Sequence, residues 1–326
     1  MKLAFGIALA ASVLVVGCSG SKQEGAAPGG SSSKPGKKIV VGFSQIGAES
    51  GWRTANTESI KSEAAKRGIE LRFSDAQQKQ ENQIKALRSF IAQKVDVIMF
   101  SPVVEAGWGP VMQEIKDAGI PVIVADRRPD VSEDMYVTFI GSDFVEEGRR
   151  AARWLAKKMN GKATILELQG TPGSAPAIDR KKGFEEVLKD YPGMKIVLSQ
   201  SGDFTRAGGK QAMEAFLKSP VGRTANALFA HNDDMALGAI QAIEEAGLKP
   251  GKDIVIVSID GVRGAFEAMV AGKLNCTVEC NPIIGPQLFD AVEAVVAGKQ
   301  LPKRIVVEEG VYDQSVAAKE LPNRKY

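Results

Sequence analysis

NALFAHNDDMALGAIQAIEEAGLKPGKDIVIVSIDG, Asn226 to Gly261, carries the fold in miniature. Asn226–His231 reads as a strand, Asp233–Ala246 as a helix and Asp253–Asp260 as the next strand. Both strands are apolar along most of their length. That is the pattern of a parallel sheet with helices on both faces.

The same unit extends in both directions. Upstream, Ile39–Ser44, Ile69–Ser74, Val95–Phe100 and Ile120–Asp126 read as strands, with helices at Trp52–Arg67, Gln80–Gln93 and Gly107–Ala118. Strands Tyr136–Gly141, Ala163–Gly170 and Met194–Gln200 then alternate with helices Phe144–Met159, Ala177–Lys189 and Thr205–Lys218. Downstream lie a helix Ala265–Ala271, a strand in LNCTVEC (Leu274–Cys280), a helix near Gly285–Ala297 and a strand Lys303–Glu309. The expectation is an α/β chain of two successive doubly wound parallel units, in line with about two domains for 326 residues.

The composition, 44% hydrophobic and 25% charged, is that of a globular protein and excludes collagen-like, coiled-coil and wholly disordered chains. The charge balance is 42 Lys and Arg against 39 Asp and Glu, interspersed along the chain, so no basic face points to nucleic acid. A single histidine, His231, speaks against a histidine-based metal centre or a Ser/His/Asp enzyme, and it is expected to be structural. No phosphate loop or dinucleotide fingerprint follows the first strand. Neither a cofactor nor a metal is expected.

The first residues form an address. Lys2 precedes an apolar run, Leu3–Val16, too short for a comfortable membrane span and suited to a secretory signal. It ends in Leu14-Val15-Val16-Gly17-Cys18, which resembles a bacterial lipobox. Residues 1–17 are therefore expected to be removed and Cys18 acylated, giving a stable anchor with more than one chain. The stretch that follows, SGSKQEGAAPGGSSSKPGKK (Ser19–Lys38), is rich in Gly, Ser, Pro and Lys, and residues 18–37 read as a flexible tether. Cys276 and Cys280 are four residues apart on one expected strand, about 13 Å, beyond the reach of a disulfide. They read as buried thiols.

In open parallel sheets, ligands bind beyond the carboxyl ends of the strands. The residues there are Glu49, Ser50, Trp52, Arg53, Asp126, Arg127, Asp179, Arg180, Asp203, Phe204, Asn232, Asp233 and Asp260. Carboxylates, guanidiniums, an amide and aromatic rings suit a sugar, whose hydroxyls donate and accept and whose C–H face stacks on a ring.

Five further stretches, with their order, resemble a known family. GFSQ (Gly42–Gln45) with ESGWR (Glu49–Arg53), DAQQKQENQIKALRSFIAQKVDVI (Asp75–Ile98), PVIVADR (Pro121–Arg127), AIDRKKGF (Ala177–Phe184) and SQSGDFTR (Ser199–Arg206) look like type I periplasmic sugar-binding proteins of ABC transporters. So do AHNDDMALGAIQAIEEAGLKPGKDI (Ala230–Ile254) and SIDG (Ser258–Gly261). Within the ribose/galactose cluster, ESGWR, the QQKQENQ run, AIDRKKGF and SGDFTR are most similar to the galactofuranose-binding members. The resemblance implies two lobes joined by a three-crossing hinge, 38–139 plus 281–311 and 140–280 plus 312–326, with a monosaccharide between them. It further implies a monomer outside the cytoplasm, in the periplasm or at the cell surface, that meets the membrane only through its lipid anchor and hands its sugar to a permease.

The site the resemblance implies is Glu49, Ser50, Trp52, Arg53, Asp126, Arg127, Asp179, Arg180, Phe204, Asn232 and Asp260. Cys280 stands where relatives carry a polar sugar contact, and is a departure. Another pentose or hexose, or the quorum signal autoinducer-2, is the alternative ligand. Glycoside hydrolysis by Asp126 and Asp260 is the enzyme reading. Arg127 beside Asp126 fits an acceptor of hydroxyls better than a proton donor, so no catalysis is expected.

Overall fold

The computed structural model describes residues 38–326. The signal, Cys18 and the tether lie outside the described residues. Apolar runs form two six-stranded sheets. The first contains β1 (Val40–Gln45), β2 (Glu70–Asp75), β3 (Val97–Phe100), β4 (Val122–Ala125), β5 (Thr138–Gly141) and β11 (Arg304–Val306), in the order β11-β5-β4-β3-β1-β2. The second contains β6 (Lys162–Gln169), β7 (Gly193–Ser201), β8 (Ala227–Ala230), β9 (Val255–Asp260), β10 (Cys276–Glu279) and β12 (Val311–Asp313), in the order β12-β10-β9-β8-β6-β7. All pairings are parallel except β10 with β12. The chain changes sheet between β5 and β6, between β10 and β11, and between β11 and β12, so three crossings join the lobes.

Helices α1 (Gly51–Lys66), α2 (Gln80–Ala92) and α3 (Gly109–Asp117) connect the strands of the first sheet, and α9 (Gly285–Val296) packs on α1. Helices α4 (Phe144–Lys158), α5 (Ala175–Leu188), α6 (Arg206–Lys218), α7 (Asp233–Glu245) and α8 (Arg263–Val270) belong to the second lobe, with α10 (Gln314–Glu320) against α8. β3, β4, β5 and β8 are buried at every residue, which is why they read as continuous apolar runs rather than alternating ones.

Three departures from the sequence-based expectation stand out. The last expected strand, Lys303–Glu309, is paired only over Arg304–Val306. β12 and α10 were not expected: three residues are too few to show a period, and the antiparallel pairing of Val311 with Val278 is a tertiary choice. The second sheet is therefore not wholly parallel. Cys276 and Cys280 are both free and buried, as expected.

Each lobe repeats the strand order 2-1-3-4-5, which places its switch point between its first and third strands. The carboxyl ends of the two sheets supply the residues around the cleft. The α4–α5 contact is close enough that a Cβ on Gly148 would lie 2.1 Å from the Arg180 carbonyl oxygen. Only glycine fits there, and this close approach sets where α5 carries Arg180.

Candidate functional site

Between the lobes lies a cavity lined by residues of both. Glu49, Ser50, Trp52, Arg53, Asp126 and Arg127 line it from the first lobe. Phe144, Pro176, Arg180, Phe204, Asn232, Asp260 and Cys280 line it from the second lobe and the hinge. Apart from Arg180, in the second turn of α5, each stands at or just beyond the carboxyl end of a strand or in the first turn of the helix after it.

The first-lobe side is a lattice of ion pairs. Ser50 caps α1 by accepting from the Arg53 amide at 3.1 Å, which brings Trp52 and Arg53 to the cavity at the first helical turn. Arg53 Nη2 lies 2.8 Å from Asp126 Oδ2, and its Nε donates to Glu49 Oε1 at 3.1 Å. Ser101 Oγ also donates to Asp126, at 3.2 Å. Burial works against the Arg53 charge, but Asp126 and Glu49 outweigh it and raise its pKa. Arg127 is less well matched. Its Nη1 donates to the Val103 carbonyl at 3.2 Å, while its Nε, 4.0 Å from Asp126 Oδ2, has no hydrogen-bond partner. Burial and the charge of Arg53 push its pKa down to about 10. Glu49 Oε2 is likewise buried without a partner. A buried donor and a buried acceptor thus remain to be satisfied, which proteins rarely leave undone without a purpose.

The second-lobe side is built around Arg180. Its Nε donates to Glu147 Oε2 at 2.7 Å and its Nη1 to the His231 carbonyl at 2.6 Å, while Nη2 lies 3.6 Å from Asp260 Oδ1. Burial pushes the Asp260 carboxyl well above the ordinary range, with Arg180 pulling the other way. Asn232 caps α7 by accepting from the Met235 amide and donates to the Phe204 carbonyl, both at 3.0 Å, so one of its N–H bonds is left for a ligand. The Phe204 ring lies where a side chain on Gly170 would stand, a Cβ there being 1.9 Å from Phe204 Cζ. Asp126, Phe204 and Asp260 adopt φ of 62°, 61° and 133°. Non-glycine residues held in this region carry strain of the kind that gathers at binding sites.

The hinge closes the cavity. Trp52 Nε1 donates to the Cys280 carbonyl at 2.6 Å, tying α1 to the second crossing. Among the described residues, one trio brings metal-competent atoms within 4.8 Å of one another: Glu147, Cys280 and Glu309. Its acceptors are largely engaged. Arg180 holds Glu147, and Ser142 Oγ and the Asn281 amide donate to Glu309 Oε1. Burial first, and then the Glu147 charge, push Glu309 up to about 9, which favours its neutral form. His231 is internal. Its Nε2 faces Glu167 Oε1 at 3.2 Å and its Nδ1 accepts weakly from the Gly170 amide, and burial lowers its pKa.

All but one of the residues nominated from the sequence line this cavity. Asp179 is the exception. It forms an ion pair with Arg128 and stays out of the lining. Asp179 and Arg180 are successive residues on α5, about 100° apart around the helix, so only one faces the cavity. Phe144 and Pro176 were missed. Both open helices immediately beyond strands, and inspection of every strand end would have found them.

This geometry is matched by comparison with known proteins. A family model described as periplasmic binding protein domain covers residues 41–300. The chain belongs to the periplasmic binding protein family. The chain is 51% identical over 291 residues to the galactofuranose-binding protein YtfQ of Escherichia coli (strain K12), covering 88% of this chain and 92% of that protein. Two solved structures superpose with a TM-score of 0.86 at 55% identity, and each covers 88% of this chain. One is the periplasmic component of the arabinose ABC transporter from Shewanella sp. ANA-3, bound to α- and β-L-arabinofuranose, with 96% of that chain covered. The other is a Mycobacterium smegmatis protein in complex with β-D-fucofuranose, with 95% covered. The two-lobe, three-crossing architecture is that of the type I members of this family.

Proposed function

We propose that this protein captures one monosaccharide in its furanose form, galactofuranose being favoured, and delivers it to an ABC importer. The observation that carries the reading is the pair of buried atoms without a hydrogen-bond partner, Arg127 Nε and Glu49 Oε2, in residues that line the cavity between the lobes. A sugar hydroxyl accepts from the first and donates to the second. The furanose ring form follows from the relatives named above, each of which is described with a furanose. Glu49, Ser50, Trp52, Arg53, Asp126, Arg127, Arg180, Phe204, Asn232 and Asp260 are the proposed sugar contacts. No catalysis is proposed: Asp126 is held by Arg53 and Ser101 as an acceptor.

The moving bodies are 38–139 plus 281–311 and 140–280 plus 312–326, closing about the three crossings as in hinged binding proteins. The protein acts as a monomer outside the cytoplasm, tethered through acylated Cys18. The test is calorimetric titration of a protein beginning at Ser19 with galactose, arabinose and fucose. Methyl galactopyranoside, locked in the six-membered ring, is the control. The carbon-13 signal of the bound sugar's anomeric carbon reads the ring form. Furanose-form binding without response to the locked pyranoside is expected, and a bound pyranose overturns the reading.

A further inference from the structure

The lobes are joined at the rims of the cleft by groups that stay out of the cavity lining. At one rim, both Arg128 nitrogens, from the loop after β4, reach the Asp179 carboxylate on α5 across the cleft. Beside them the Glu105 amide donates to the Gly173 carbonyl at 2.9 Å, again from first lobe to second. At the other rim, the Gly51 amide, in the first turn of α1, donates to Asp234 Oδ2 on α7 at 2.8 Å. There a carboxylate of one lobe meets the positive end of a helix of the other.

Two of these charged groups are aimed by a partner on their own lobe. Glu105 Oε1 lies 2.7 Å from Arg128 Nη2. Arg206 donates to Asp234 Oδ1 through Nε at 3.2 Å and Nη2 at 2.9 Å. Arg128 and Asp234 are therefore positioned before the lobes meet, whereas Asp179 gains its cation only across the cleft. Asp179 and Asp234 are 7% and 6% exposed, while the Arg128 side chain keeps 42% exposure, so that ion pair stays open to solvent and salt on its cationic side.

We propose that Arg128–Asp179 and Asp234–α1 are a two-point latch that sets how much of the protein is closed, and hence its affinity, for every sugar alike. The latch is made in the closed state whichever sugar is inside, and is broken in the open state. The apparent dissociation constant is the intrinsic one divided by the closed fraction. A change in the latch therefore multiplies all dissociation constants by one factor and leaves the ranking of sugars untouched. Asp179 and Asp234 act as positioning residues, in contrast to Asp126 or Arg180, whose loss must reorder the sugars.

The inference rests on the proposed sugar-binding reading, and its test separates the two. Asp179→Ala and Asp234→Ala are titrated with the same sugars as the wild type. Each substitution is expected to raise every dissociation constant by a common factor of roughly 3- to 30-fold. The double variant should multiply the two factors, because the rims share no partner. The charge swap Arg128→Asp with Asp179→Arg should regain affinity lost in either single swap. A neutral sugar should also bind the wild type more weakly as salt rises from about 0.01 M to about 1 M, where the screening length falls from about 30 Å to about 3 Å. The double alanine variant should lose most of that dependence. Affinity equal to wild type in both alanine variants, or a changed ranking of sugars, overturns the latch. A wild type that binds none of the sugars overturns the function instead.

Discussion

The two walls of the cleft solve the same task with different electrostatics. On the first-lobe wall, Arg53 and Arg127 face Glu49 and Asp126, two cations and two carboxylates within salt-bridge distance. On the second-lobe wall, Arg180 faces Glu147 and Asp260, and Glu309 and Cys280 stand behind them. The first wall is balanced by pairing. The second has more acids than cations, and burial raises the pKa of Glu147, Asp260, Glu309 and Cys280 alike, which favours their neutral forms. A cleft can thus offer charged groups to a neutral sugar from a wall that holds its charge and from one that adjusts it.

The largest effect that separates the walls is expected from Arg180→Met. It leaves Glu147 and Asp260 buried without their cation. Breaking a buried ion pair by removing one partner costs about 3–5 kcal/mol. Urea denaturation at neutral pH should show that loss, together with loss of sugar binding. Part of the stability should return as pH falls, as the stranded carboxyls take up protons. A loss of stability that does not depend on pH would show that the second wall is not the proton-compensated one.

Asp126→Ala should break the first wall more gently. Arg53 keeps Glu49 at 3.1 Å, so no buried cation is orphaned. A hydrogen bond to a charged group contributes about 1.5–3 kcal/mol, so sugar affinity should fall roughly 10- to 100-fold, with the fold intact by circular dichroism. Unchanged affinity in the folded variant would remove Asp126 from the site and leave the cleft reading on Asn232, Arg180 and Asp260.

How much of this was legible in the sequence depended on what each residue's role rests on. β3, β4 and β8 are buried on both faces, and that is written in composition. The strand-end rule reached Asp126 and Asp260 because topology alone puts them at the cleft. It did not separate Asp179 from Arg180, since helix phase decides which one faces inward and Gly148 sets that phase through a close backbone contact. β12 was hidden because three residues carry no period. The acid trio at the hinge was invisible for another reason: Glu147, Cys280 and Glu309 are far apart in sequence, and what makes them act together is burial.

The smallest effect concerns that trio and reads the protonated wall directly. The Glu309 carboxyl is pushed up to about 9 by burial and by Glu147, against Ser142 and the Asn281 amide, which favour its charged form, and against Arg180. A folded-state pKa above the unfolded value means that the folded protein binds more protons between the two. The resulting stability is fully present below the unfolded value, about 4.3, and is lost as pH rises towards 9. Other groups bound the useful window. Asp233, raised to about 6, acts in the same direction but at lower pH. His231, lowered by burial, opposes it only below its ordinary range. Cys276 and Cys280 add a loss only where unfolded thiols ionise, near about pH 8.5. Between about pH 7 and 8.5, therefore, the wild-type melting temperature should fall with rising pH. Glu309→Gln keeps a carbonyl to accept from Ser142 and Asn281, carries no charge, and should flatten that slope, with its difference from the wild type shrinking as pH falls towards about 4.3. A slope unchanged by Glu309→Gln would mean that the hinge proton resides on Glu147 or Asp260, and the same melting series on Glu147→Gln would then locate it.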